Sequence, residues 1–148
     1  MNAIVFDAEL SLPKVDPKVL SRLMNEAKFD DIVPAPISHS LLNVILQLHP
    51  ESYNAGLYAS LGVSEHTDDS VPFDITLGVV LSGDHVLYEK DWKRVGNLAD
   101  GSVFVLNNKM PHAAYARNNT PGKPLVFIAC DLNVDDFDVV CEVINTKL

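Results

Sequence analysis

The chain has 148 residues, 47% of them hydrophobic and 21% charged, a balance that excludes a disordered polymer and suffices for one domain with its own core. Its formal net charge of −9 repels phosphate backbones, which argues against a general nucleic-acid binder. No apolar run approaches the ~20 residues that a membrane-spanning helix needs.

In chain order, Ile4-Val5-Phe6 reads as a short strand. Asp16-Pro17 then offers an N-cap and a proline at the first helical position. Val19, Leu20, Leu23, Met24 and Ala27 follow on one helical stripe that ends near Phe29. Residues 30–36 read as a loop, because Pro34 and Pro36 block a helix. Residues 41–48 suit either a buried helix or a buried strand, and periodicity does not decide between them.

Past Pro50 the character changes to short β-like segments at 56–62, 73–81, 85–89, 102–106, 113–116 and 125–132. Ser82-Gly83-Asp84 and Asp100-Gly101 are turn signals between them. From Asp135 to about Asn145 the spacing of Phe137, Val140, Val143 and Ile144 is helical again, and Asp135 and Asp136 suit a helix N-terminus. The expected layout is one domain over 1–148: a helical support region over 1–50, a β core over 51–132 and a C-terminal helix over 133–148. Many short strands without strand–helix alternation point to a mainly β sandwich or barrel, a group that includes jelly rolls. They exclude a dinucleotide-binding or P-loop architecture.

Cys130 and Cys141 are the two cysteines and form no C-x-x-C pair, so neither a disulfide framework nor a zinc ribbon follows. Cys130 ends an apolar run and reads as a buried, inert thiol. The first twelve residues carry Asp7 and Glu9 and no basic stretch, unlike a secretory leader, and the expectation is a cytoplasmic protein. The sequon Asn118-Asn119-Thr120 means little in that setting. Lys90, Lys93 and Arg94 surround Trp92 but are interrupted by Asp91, and read as a solvated face or part of a substrate rim.

His66-Thr67-Asp68 lies between two β-like segments. Residues two apart in an extended chain share a face, so His66 and Asp68 present an imidazole and a carboxylate side by side. His112, after the segment 102–106 and a loop, is the leading third ligand. Two histidines and one carboxylate on one face of a metal leave the opposite positions open, as in non-haem iron(II) oxygenases. The pair alone is weak, because chance predicts about 0.7 His-x-acid matches in this composition. His49-Pro50-Glu51 matches as well and remains an alternative edge. Without further context, His66 and Asp68 read first as polar residues of an exposed turn, and Tyr58 as a core tyrosine.

The ordered set is more specific. Tyr58, His66-Thr67-Asp68, the strand closed by Ser82-Gly83-Asp84, Gly101-Ser102-Val103-Phe104-Val105-Leu106, His112 and a basic residue ahead of the last core strand occur in one sequence order. In this, residues 58–131 resemble the core of the iron(II)/2-oxoglutarate-dependent dioxygenases, especially their compact prolyl-hydroxylase-like branch. The resemblance implies a double-stranded β-helix, or jelly roll, with flanking helices. It implies iron(II) held by His66, Asp68 and His112, and 2-oxoglutarate as cosubstrate near Tyr58. The far carboxylate of that cosubstrate would pair with Lys123 or with its competitor Arg117, whose planar fork suits carboxylates better. Thr67 or Asn107 would orient the ligands.

The implied activity is hydroxylation of a C–H bond in a peptide or protein side chain, prolyl first, or in a small molecule. Two alternatives stay open. One is a cupin-like metalloprotein that does not use 2-oxoglutarate, although the chain lacks the H-x-H cluster common in cupins. The other is a non-catalytic jelly-roll binding module.

Overall fold

A computed structural model describes residues 2–117 and 123–148. The sequon at Asn118-Asn119-Thr120 and Gly122 of the turn before Lys123 lie outside the described residues.

The first helix, α1 (Pro17–Glu26), begins as the sequence predicts: Asp16 Oδ1 accepts the backbone N–H groups of Lys18 at 2.9 Å and Val19 at 3.3 Å. It ends three residues before Phe29, where the chain turns away to bridge Gly62. The ambiguous segment forms a second helix, α2 (His39–Leu48), capped by Ser38. Leu41, Ile45 and Leu48 are its buried residues, at helical and not alternating spacing. A third helix, α3 (Phe137–Lys147), is capped by Asp136 and buries Phe137, Val140 and Ile144.

Among the described residues, ten strands run between and around these helices. Before the β core come β1 (Ala3–Phe6) and β2 (Val33–Ala35). The core strands are β3 (Ser52–Ser60), β4 (Val63–His66), β5 (Ile75–Ser82), β6 (Asp84–Glu89), β7 (Lys93–Ala99), β8 (Val103–Asn107), β9 (His112–Ala116) and β10 (Leu125–Leu132). One sheet has the order β1-β8-β5-β10-β3-β2 and the other β4-β9-β6-β7, with every pairing antiparallel.

The core pairings are nested: β3 with β10, β4 with β9, β5 with β8 and β6 with β7. Eight strands folded as one nested hairpin and split over two sheets make a jelly roll. The fold is therefore mainly β, a double-stranded β-helix flanked by helices. Pro34 is tolerated in β2 because that strand is the outer edge of its sheet.

Alternation along β10 divides the interior in two. Val126, Ile128 and Leu132 join Leu23, Ile45 and Ile144 in a core between the larger sheet and the helices. Leu125 and Phe127 face the second sheet, where Leu87, Leu98 and Ala114 pack against Phe104 and Leu106. Cys130 lies in the first core, and burial pushes its thiol up to about 11, which keeps it unreactive. At the sandwich's open seam, Glu89 Oε1 accepts the backbone N–H groups of Asn2 at 3.3 Å and Ala3 at 3.1 Å, tying β1 to β6. Among the described residues, no helix is long and apolar enough to cross a membrane.

Candidate metal centre

The space between the two sheets is not filled. A cavity of about 310 Å³ remains there, walled by Leu87, Leu98, Phe104, Leu106, Leu125 and Phe127. Gly78 makes room for one wall: a Cβ at that position would lie 2.0 Å from Phe104 Cζ, so the ring lies directly on the β5 backbone. On β3, Gly56 likewise admits the Tyr58 ring, whose Oη would stand 2.5 Å from an added Cβ. Tyr58 lines the cavity, and desolvation together with the nearby Asp131 charge raises its phenol above the ordinary range.

His66, Asp68 and His112 meet at the cavity wall, each offering one ligand atom, all within 4.8 Å of one another. Strand register explains how. His66 ends β4 and His112 begins β9, and the two are paired directly. Their rings meet edge-on with centroids 4.4 Å apart. Asp68 Oδ2 lies 3.1 Å from His112 Nε2, and Asp68 Oδ1 lies 3.4 Å from His66 Nε2.

The far nitrogens are engaged by backbone. His66 Nδ1 sits 2.7 Å from the Ser64 carbonyl oxygen and His112 Nδ1 sits 3.0 Å from that of Met110. A carbonyl only accepts, so each Nδ1 carries the proton and each Nε2 is left to face Asp68. An Nε2 opposite a carboxylate then either takes a second proton or shares a metal with it. Two ligand atoms held at right angles about 2.1 Å from one ion lie about 3 Å apart, close to the 3.1 Å between Asp68 Oδ2 and His112 Nε2.

Without a metal the three groups behave as a hydrogen-bonded charge cluster. Burial works to raise the Asp68 carboxyl, but hydrogen bonds from His112 and His66 outweigh it and hold Asp68 well below the usual carboxylate range. His66 is correspondingly raised, first by its hydrogen bond with Asp68, against an opposing desolvation.

The residues that hold Asp68 in place differ from those the sequence suggested. Thr67 Oγ1 donates outward to Asp69 Oδ2 at 2.7 Å, and Asn107 Oδ1 accepts the Lys109 N–H at 3.1 Å. Neither touches a ligand. The work falls to Asn108, which is buried. Its carbonyl accepts the Asp68 N–H at 2.8 Å, its own N–H donates to Asp74, and its side chain joins Thr76 Oγ1 to the Phe73 carbonyl. The sequence signal is only an asparagine pair after an apolar strand, which does not say which member turns inward.

The other candidates lie elsewhere. His49 closes α2, and its Nδ1 accepts the Glu51 N–H at 3.3 Å, away from the cavity. Arg117 pairs with Asp84 at 2.8 Å, and Lys123 is exposed ahead of β10; neither lines the cavity. The two residues the sequence offers as a dicarboxylate anchor are thus both exposed. At the inner positions β10 presents Leu125, Phe127, Ala129 and Asp131 instead. Trp92 is exposed on the opposite side of the smaller sheet, stacked on Tyr115 with centroids 4.7 Å apart.

These features define a jelly-roll protein with a two-histidine, one-carboxylate cluster beside an intersheet cavity. No family model matches the chain, and no curated protein does. Solved structures similar to it include a cupin superfamily protein from Desulfitobacterium hafniense, at 20% identity over 86% of this chain and all of that one, with a TM-score of 0.47. A protein from Neisseria meningitidis is similar at 12% identity over 81% of this chain and 99% of that one, with a TM-score of 0.48. An RmlC-like cupin from Desulfovibrio desulfuricans is similar at 13% identity over 68% of this chain and 80% of that one, with a TM-score of 0.43.

Proposed function

We propose that the chain is a non-haem metalloenzyme of the oxygenase type, with one divalent ion, iron(II) foremost, held by His66, Asp68 and His112 and a small molecule bound in the intersheet cavity. One observation carries the reading: both histidines spend Nδ1–H on backbone carbonyls while both Nε2 atoms converge on Asp68. A ligand set confined to one face leaves coordination positions open toward the cavity. When bound, the metal supplies Lewis acidity and, as iron(II), a place for dioxygen to react.

The chain's own residues do the rest. Asn108 fixes the Asp68 backbone, Ser64 and Met110 fix the imidazole tautomers, and the apolar wall excludes water from the bound substrate. Use of 2-oxoglutarate is the second reading, favoured by the order of Tyr58, His66, Asp68 and His112. It takes second place because neither Lys123 nor Arg117 lines the cavity.

Thermal stabilisation by iron(II) under anaerobic conditions, or by cobalt(II), tests the proposal, with and without 2-oxoglutarate. A shift with metal that disappears in His66→Ala and Asp68→Ala is expected, and 2-oxoglutarate is expected to add little. An equal shift in the variants would sink the metal site. A further strong shift with 2-oxoglutarate would promote the second reading.

A further inference from the structure

At the mouth of the cavity stands a second carboxylate that the metal cluster does not use. The pairing of β10 with β3 slips between Ala129 and Asp131. Opposite the slip, Asn54 takes a left-handed backbone with φ 53°, a conformation asparagine tolerates better than most residues. The bulge turns the Asn54 amide onto Asp131, with Nδ2 donating to Oδ2 at 3.2 Å. Both residues line the same cavity as the metal ligands.

Asp131 is half-buried, and among the described residues no cation pairs with it. Among the described residues, the side-chain hydrogen bond to it comes from Asn54 and leaves Oδ1 without a side-chain donor. No lysine or arginine among the described residues lines the cavity. A carboxylate withdrawn from water without a counter-charge is costly unless a bound group completes it. Desolvation, aided by the Asp68 charge, accordingly raises its carboxyl against the pull of Asn54.

We propose that Asp131, set by the Asn54 bulge, receives a protonated amine of the substrate, so that the cavity selects small molecules with an apolar body and one ammonium end. This rests on the cavity being the substrate site, as proposed above, but not on which metal is bound. Leu125, Phe127 and Phe104 take the apolar body, and the Tyr58 ring, lying over Gly56, flanks the charged end. Anionic substrates meet the Asp131 charge at the mouth and are disfavoured.

Calorimetric titration with 3-phenylpropylamine, 3-phenylpropanol and 3-phenylpropionate at pH 7 tests the proposal, using zinc(II)-loaded and metal-free protein. Wild type is expected to bind the amine at least about tenfold more tightly than the carboxylate, a charge-assisted contact against a repulsive one. Asp131→Asn should remove that preference while leaving the alcohol and the zinc affinity unchanged. Asn54→Ala keeps the carboxylate but removes the amide that orients it, and should weaken the amine preference without abolishing it. A carboxylate bound as tightly as the amine to metal-free protein, an unaltered preference in Asp131→Asn, or no saturable binding of any probe overturns the inference. Failure of the metal reading shows separately, as absent zinc binding by wild type, with the amine preference intact in metal-free protein.

Discussion

His66 and His112 each lie within hydrogen-bond reach of the carbonyl two residues upstream, Ser64 for one and Met110 for the other. The same local contact, made on two strands that pair at these very residues, sets both Nε2 atoms toward Asp68. Nothing in that contact depends on which metal arrives, so the site is arranged before it is filled.

Asn108 is the residue whose loss should separate positioning from ligation. Asn108→Ala removes hydrogen bonds to Thr76 and Phe73 from a buried position while leaving all three ligand side chains in place. We expect about 10- to 100-fold weaker metal binding and a stability loss of about 1–3 kcal/mol. Metal titration and urea unfolding measure the two. Unchanged metal affinity would show that Asp68 holds its position without Asn108.

Proton release should accompany metal binding. His66 is raised in the metal-free protein, so the stability it contributes is fully present below its unfolded value of about 6.5 and is lost as pH rises through the raised one. Asp68 is lowered, so its contribution is present above about 3.9 and is lost as pH falls. The metal-free protein is therefore favoured by this cluster in the window between. Metal binding competes with the His66 proton, so the thermal shift given by a fixed zinc(II) concentration should grow from about pH 6 to about pH 8. A shift that stays flat over that range contradicts the assigned protonation.

Gly78→Ala tests the cavity wall. The new methyl group would collide with the Phe104 ring, which is only 5% exposed and must move into the cavity. The expected cost is about 1–3 kcal/mol in stability. Binding of 3-phenylpropanol should weaken with it, read by the same titration as above.

Arg117→Ala and Lys123→Ala should leave metal affinity unchanged. Arg117 spends its charge on Asp84 in a half-exposed pair, so its loss should cost no more than about 1 kcal/mol. A marked loss of ligand binding in either variant would return that residue to the site.

Much of the fold could be read from the chain because its signals are local. The Asp16-Pro17 start, the helical spacing in α3 and most core strands are set by neighbouring residues. Three strands escaped, among them Val33–Ala35, which lies within the segment read as a loop because of Pro34 and is tolerated only as a sheet edge. Lys93–Ala99 opens with two charges at the sheet edge and lacks apolar alternation, and Val63–His66 is four residues long. The histidines and Asp68 could be named because chemistry restricts which residues bind metals. Asp131, Asn54 and Asn108 could not, since a bulge, a left-handed asparagine and a buried amide network arise from strand register and tertiary contact. Neither Lys123 nor Arg117 lines the cavity, and a position counted from His112 does not say which way a side chain faces.

The contacts of Glu89 with the N–H groups of Asn2 and Ala3 give the first strand a role beyond packing. β1 is the outermost strand beside β8, whose residues Val103 to Leu106 are all buried. Removing residues 2–6 would leave β8 as an open edge with an apolar face and unpaired backbone groups, a template for another chain. Such a truncation should self-associate by strand exchange, seen as a concentration-dependent increase in size by light scattering. On that outcome β1, paired along its length with β8 and tied by Glu89 to the opposite sheet, is a stopper against polymerisation.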